Sequence, residues 1–293
     1  MTSAAPLADG LPATSPEADL LVEVEKLTLR FGGLTSLSQV SLTQRRGEIL
    51  SVIGPNGAGK TSLFNCLTGV YTPQEGRIVF HRRDGRDISV VGVRPHRVNR
   101  FGIARTFQTS RLFNALTTFE NVKIGVESRS RTGPLGAILH LPHTRREERA
   151  ANARVRELLE FVGLTHRAAT LASSLPYGDR RRLEIARALG TGPELLLLDE
   201  PAAGTNPAEK GDLVDLIRRV NRDRGVSVLL IEHDMGLVMS LAERIVVLNF
   251  GQVIATGSPA EIQQNPAVIE AYLGAPEAPA EGAGDVAESG EGA

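Results

Sequence analysis

The stretch ILSVIGPNGAGKTSLFNCL, residues 49–67, joins a short apolar run to a glycine-rich loop and then to a helical pattern. Within it, Gly54, four further residues, Gly59, Lys60 and Thr61 have the spacing of a phosphate-binding loop set between a strand and a helix. Glycines remove the Cβ atoms that would keep backbone N–H groups from converging on a phosphate, and the following helix turns its positive end toward the same anion. Lys60 brings a compact charge to the β and γ oxygens, and Thr61 offers a hydroxyl to Mg2+. The chain holds four Lys against 29 Arg, so a lysine kept here marks a site that the planar guanidinium does not fit. Pro55, Asn56, Gly57 and Ala58 fill the loop, and Ser62 follows it. All are expected to contact nucleotide.

Bulk properties set the frame. The 293 residues, 41% of them apolar, suffice for one large or two modest domains with a sizeable core. No apolar run approaches the roughly 18 to 20 residues of a membrane helix. The opening MTSAAPLADGLPATSPEADL lacks the basic and apolar regions of a secretory signal. Cys66 is the single cysteine, which leaves no internal disulfide and no thiolate metal cluster. A cytoplasmic protein is expected. The formal charge of −1 conceals a division: residues 1–20 and 275–293 carry eight acids and no base, so the body between them holds 26 acids against 33 bases, about +7. Both ends are Ala-, Pro- and Gly-rich and poor in large apolar groups, so residues 1–20 and 275–293 read as disordered tails around a body at 21–274. The basic body suits a solvated arginine-rich face, a nucleotide or an anionic surface.

Leu20–Leu29, Gln39–Gln44 and Arg77–Phe80 read as short strands of an antiparallel portion beside the loop. Leu195–Leu198, Val226–Ile231 and Arg244–Leu248 are apolar runs separated by helical patterns, as expected of buried parallel strands. From about Thr109 to Leu175 strand signals vanish. Arg145–Val162, closed by Gly163, repeats apolar residues at helical spacing and reads as part of a helical insertion at about 109–178.

Downstream, LLLLDEP at 195–201 is a buried strand ending in two carboxylates. Asp199 can hold the shell of Mg2+, and Glu200 would then lie where it can polarise an attacking water. SSLPYGDRRRLEIARAL at 173–189 reads as a tight Pro-Tyr-Gly turn followed by a helix that packs Leu183, Ile185, Ala186 and Leu189 inward, its amino end a second anion site. With Phe31, Gln108 in ARTFQTSRLF, AAGTNP at 202–207 and His233 in LLIEHDM, these segments stand in the order of one family. The chain resembles the ABC ATPases over about residues 21–274.

That resemblance implies an α/β P-loop fold, a RecA-like core with an antiparallel β subdomain and an inserted helical subdomain. It implies that Phe31 stacks on adenine, that Gln108 contacts Mg2+ and the attacking water, and that His233 binds the γ-phosphate. The expected catalytic set is Glu200, His233 and Gln108, and the metal set Thr61, Gln108 and Asp199. Leu175, Pro176, Tyr177, Gly178 and Asp179 occupy the signature that closes over a second subunit's ATP. One nucleotide domain without a membrane span points to a separate ATPase subunit of a transporter at the cytoplasmic face of the membrane, not to a nucleic-acid-binding protein. FGIARTFQTSRLFNALTTFENV at 101–122 and GQVIATGSPAEIQQNPAVIEAYLG at 251–274 are similar to the larger ATPase subunit of branched-chain amino-acid importers, with urea or amide importers and lipopolysaccharide-export ATPases close by. The implied partners are a second ATPase subunit, a paralogue in preference to a second copy, two membrane permeases and, indirectly, a solute-binding protein. Arg111, Leu112 and Phe113 are candidates for the permease-docking surface, or for the core of the insertion. A switch that binds ATP with negligible turnover is the other class of reading. The family signature reads Leu-Ser-Gly-Gly-Gln. Pro176 in place of its serine removes a hydroxyl and an N–H donor, which predicts a weaker composite site on this side of an asymmetric pair.

Overall fold

In the computed structural model, residues 19–106, 112–128 and 142–273 are described. Gln108, Arg111 and both predicted tails, apart from Asp19 and Leu20, lie outside them. Leu20 opens the first strand, where the strand reading of Leu20–Leu29 begins.

Two sheets carry the molecule. Strands β1 (Leu20–Phe31), β2 (Leu34–Arg45), β4 (Glu75–His81) and β5 (Asp87–Ser89) form an antiparallel sheet in the order β2-β1-β4-β5. The other sheet has the order β10-β9-β3-β8-β7-β6, from β3 (Ile49–Ile53), β6 (Ile103–Arg105), β7 (Leu195–Asp199), β8 (Ser227–Ile231), β9 (Arg244–Asn249) and β10 (Gln252–Gly257). Its strands are parallel except for β10, which runs antiparallel to β9. The parallel runs at β7 to β9 fall where the sequence predicts them. β1 and β2 extend beyond their apolar runs. Register shifts around Lys26 and Gln39, both with positive φ (45° and 55°), break the alternation that would reveal a continuous strand. β6 is three residues long, below what a periodic pattern can signal.

The central strands are buried on both faces. Leu195 and Leu197 join the core beneath the antiparallel sheet, where Phe64, Leu63, Ile78 and Phe80 pack. Leu196 and Leu198 join the core on the opposite, helical side with Leu158, Leu159, Leu183 and Ile217. Alternation across one strand thus ties the two layers together.

Helices α1 (Lys60–Leu67) and α2 (Pro95–Phe101) follow the first strands. The insertion contains α3 (Thr118–Glu127) and α4 (Pro142–Phe161). Thr117 and Glu120 close a capping box at the start of α3, and Gly163, at φ 77°, follows α4. Next comes α5 (Tyr177–Gly190), with Leu183, Ile185, Ala186 and Leu189 buried. The predicted Pro-Tyr-Gly turn is not there: Pro176 is extended (φ −53°, ψ 156°) and Tyr177 is already helical. Proline's fixed φ suits a helix start, so the segment forms the first turn of α5 instead. The remaining helices are α6 (Pro207–Arg224), α7 (Met235–Leu241), α8 (Pro259–Gln263) and α9 (Pro266–Leu273).

Candidate nucleotide and catalytic site

The carboxyl ends of β3, β7 and β8 lie side by side, because β3 pairs with β8 and β8 with β7. Each strand empties its functional residues at the same edge: the loop Gly54–Thr61 after β3, Asp199 and Glu200 at β7, and His233 two residues beyond β8. Gly54 and Gly59 are needed for reasons beyond phosphate access. A Cβ on Gly54 would lie 2.1 Å from the Leu248 carbonyl oxygen, and one on Gly59 would lie 2.7 Å from that of Ser36. The loop is therefore seated directly on the backbone of β9 and β2, and Gly251 N–H donates to Ala58 O at 3.0 Å from the β9–β10 turn.

Lys60 Nζ donates to the carbonyls of Gly54 (2.6 Å) and Pro55 (2.9 Å), so its ammonium is held under the loop. Burial pulls its pKa below the ordinary lysine value, while the carboxylates of Glu200 and Asp199 act in the opposite sense. Those three charges share one local field. Ser62 Oγ lies 2.7 Å from Ser36 Oγ, which fastens α1 to β2. Phe31 is 45% exposed and meets Tyr71 edge-on at 5.1 Å, leaving ring surface open for stacking.

Glu200 stands in the left-handed region at φ 47°, its N–H donating to Ile231 O at 2.9 Å. Such a conformation costs a non-glycine residue on the order of 1–3 kcal/mol and is retained where its surroundings enforce it. His233 Nδ1 is 3.9 Å from Glu200 Oε2. Glu232, 1% exposed, joins their two loops: one of its oxygens accepts from Ala202 N (2.8 Å), two residues after Glu200, and the other from His233 N (3.1 Å). Asp199 Oδ2 accepts from Arg105 Nη2 at 2.6 Å, with side chains 5% and 7% exposed. Arg105 Nη1 donates to Asn65 Oδ1 on α1 at 2.7 Å, and its guanidinium lies over the Phe64 ring.

The geometry thus gathers Lys60, Asp199, Glu200 and His233. The signature residues 175–179 lie at the start of α5, where the Tyr177 hydroxyl reaches the carbonyl of Ala203, three residues after Glu200, at 2.5 Å. Gln108 is outside the described residues. Leu175 is buried, Asp179 in the first turn of α5 pairs with Arg167 at 3.8 Å, and a Cβ on Gly178 would meet Glu209 Oε1 at 3.0 Å. Among the described residues no cluster of three or more His, Cys, Asp or Glu could hold a metal by itself. A hydroxyl (Thr61) and one carboxylate (Asp199) fit Mg2+ in the way Mg2+ is held beside phosphates, with few protein ligands and several waters.

Sequence reading overlooked Arg105, Glu232 and Tyr272. Arg105 had a signal, a charge closing the short apolar run Ile103-Ala104. Glu232 had one too, as the acid between a strand and His233. Tyr272 on α9 had none: its hydroxyl is raised above the ordinary value by burial, with the Gly54 N–H acting in the opposite sense, which places α9 against the start of the phosphate loop.

Fold and site define a P-loop nucleotide-binding protein. A family model described as ABC transporter matches residues 37–203, and one described as Branched-chain amino acid ATP-binding cassette transporter matches residues 252–278. The chain is 48% identical over 254 residues to the high-affinity branched-chain amino acid transport ATP-binding protein BraF of Pseudomonas aeruginosa and 46% identical to LivG of Escherichia coli. Each alignment covers 87% of this chain and 98% of the relative. The ADP conformation of an ATP-binding cassette from an ABC transporter superposes with a TM-score of 0.74 at 31% identity, covering 87% of this chain and 99% of that one. This chain belongs to the ABC transporter family.

Proposed function

We propose that this chain is the ATP-hydrolysing subunit of an importer for branched-chain amino acids, acting on separate membrane permeases. Hydrolysis is supported above all by the gathering of Lys60, Asp199, Glu200 and His233 at one sheet edge. Lys60 neutralises transferred charge, Glu200 takes the proton of the attacking water, and His233 steadies the γ-phosphate. Mg2+, when bound through Thr61 and Asp199, adds neutralisation of the phosphate oxygens. The amino-acid substrate rests on what BraF and LivG are described as transporting and on the C-terminal segment at 252–278. No helix among the described residues is long and apolar enough to cross a membrane, which suits a peripheral subunit at the cytoplasmic face.

The active arrangement is a pair of ATPase subunits in which each signature closes over the other's nucleotide. Pro176, which lacks the hydroxyl and the N–H of the family's serine, weakens the composite site made with this chain's signature and favours a paralogous partner with a fuller one. Of the docking candidates, Leu112 is a core residue at 7% exposure, whereas Phe113 is 49% exposed over Arg187. That exposure supports Phe113 as the docking residue of the permease surface, while Leu112 fills the insertion's core.

The test is reconstitution of this chain with its second ATPase and permeases in vesicles, scored by uptake of labelled leucine. Lys60→Ala is expected to abolish uptake, and the matching change in the partner to reduce it. Equal loss from both, or uptake of urea but not leucine, would refute the pairing or the substrate respectively.

A further inference from the structure

The first helical residue of α5, Tyr177, makes a connection that phosphate binding does not require. Its hydroxyl is 2.5 Å from the Ala203 carbonyl oxygen and 2.7 Å from Arg181 Nη2. Arginine has no acceptor, so Arg181 donates to the phenol oxygen and the phenol proton is committed to Ala203. Arg181 also lies over the Tyr177 ring at 5.2 Å and pairs with Glu184 at 3.0 Å, with side chains 6% and 3% exposed. The phenol is thus oriented from a buried charge pair within its own helix.

At the other end, Ala203 lies three residues after Glu200, and its N–H donates to the Glu200 carbonyl at 3.2 Å. Gly204 presses against the same hydroxyl: a Cβ there would be 3.3 Å from the Tyr177 oxygen. The turn that holds Glu200 at its left-handed φ is therefore tied on one side by Glu232, through Ala202 N, and on the other by Tyr177, through Ala203 O. On the paired-subunit reading above, the start of α5 serves one nucleotide and Glu200 serves the other. The Tyr177 hydrogen bond consequently crosses from an element of one site to the catalytic turn of the opposite site.

We propose that Tyr177 is a positioning residue for Glu200, whose hydroxyl bond to Ala203 makes the set of the catalytic carboxylate depend on the seating of the α5 signature against the partner's nucleotide. This rests on the composite-site reading. Tyr177→Phe keeps the ring beneath Arg181 and removes the hydroxyl, and with it both the bond to Ala203 and the one accepted from Arg181.

The experiment uses the complete complex in two backgrounds, measuring ATPase kcat and KM in each. In the first, the partner's catalytic glutamate is replaced by Gln, so that only Glu200 turns over ATP. In the second, Glu200→Gln leaves only the partner's site. Tyr177→Phe is expected to lower kcat about tenfold in the first background, the effect of one neutral hydrogen bond, with the KM for ATP unchanged and the melting temperature within about 2 °C. In the second, where Tyr177 belongs to the signature that closes over the partner's ATP, a loss is expected mainly as a raised KM for ATP, with kcat lowered less than in the first. Equal losses in both backgrounds, or none in the first, overturn the proposal. Wild-type chain that hydrolyses ATP equally fast without its partner overturns the composite-site reading, and the proposal with it.

Discussion

Asp199 presents the sharpest energetic question at the scale of single residues, since a carboxylate this deep is costly unless it is paired. Arg105 supplies that pairing at 2.6 Å and is itself braced by Asn65. Arg105→Met would leave the charge of Asp199 buried without its partner, at a cost of about 3–5 kcal/mol. Denaturant unfolding is expected to show that loss, and a melting temperature lower by roughly 6 °C or more. Unchanged stability would mean that Asp199 is better hydrated than its 5% exposure indicates. At this scale the sequence was informative wherever chemistry demands one residue type at one spacing. Lys60, Asp199, Glu200 and His233 were legible because phosphate, metal and water each prescribe a partner. Arg105 and Glu232 left only weak signals, a charge at the end of an apolar run, because what they prescribe is the position of another side chain, and such a role leaves no fixed spacing.

Among elements, the crossing of α3 and α5 shows how the insertion is docked to the core. A Cβ on Gly125 would sit 2.2 Å from the Arg187 carbonyl oxygen, and one on Gly190 would sit 2.9 Å from Val126 N. The two helices meet backbone to backbone, with no space for a methyl. Gly125→Ala must therefore spread them, and overpacking of this kind costs about 1–3 kcal/mol. Gly211 on α6 has nothing within 4 Å, so Gly211→Ala is expected to stabilise by about 0.4–1 kcal/mol through helix propensity and the lower entropy of the unfolded chain. Thermal melting of the pair checks both signs: Gly125→Ala falls and Gly211→Ala holds or rises. A neutral Gly125→Ala would mean that the helices are not in backbone contact. The sequence revealed α4 and α5 through their apolar spacing but gave no sign of this crossing, because a glycine in a helical pattern reads the same whether its missing side chain makes room for a neighbour or faces water. β1 and β2 were under-read for a related reason, since bulges at Lys26 and Gln39 hide a continuous strand behind a broken alternation.

For the whole molecule, two layers share the β3-β8-β7 edge, and the account stands on what that edge does. Lys60, Thr61 and Asp199 are proposed to hold nucleotide and metal, and Glu200 to carry out the proton transfer. The two tasks are separable by one substitution. The most direct measurement is ATP binding and single-turnover hydrolysis by the assembled transporter carrying Glu200→Gln, which preserves size and removes the basic carboxylate. The account predicts ATP affinity within about threefold of wild type and hydrolysis of the nucleotide held by Lys60 slower by about 10² to 10⁴, the range for loss of a positioned general base, with turnover left only at the partner's site. Hydrolysis near the wild-type rate in that complex would contradict the assignment of the catalytic carboxylate, and with it the central claim.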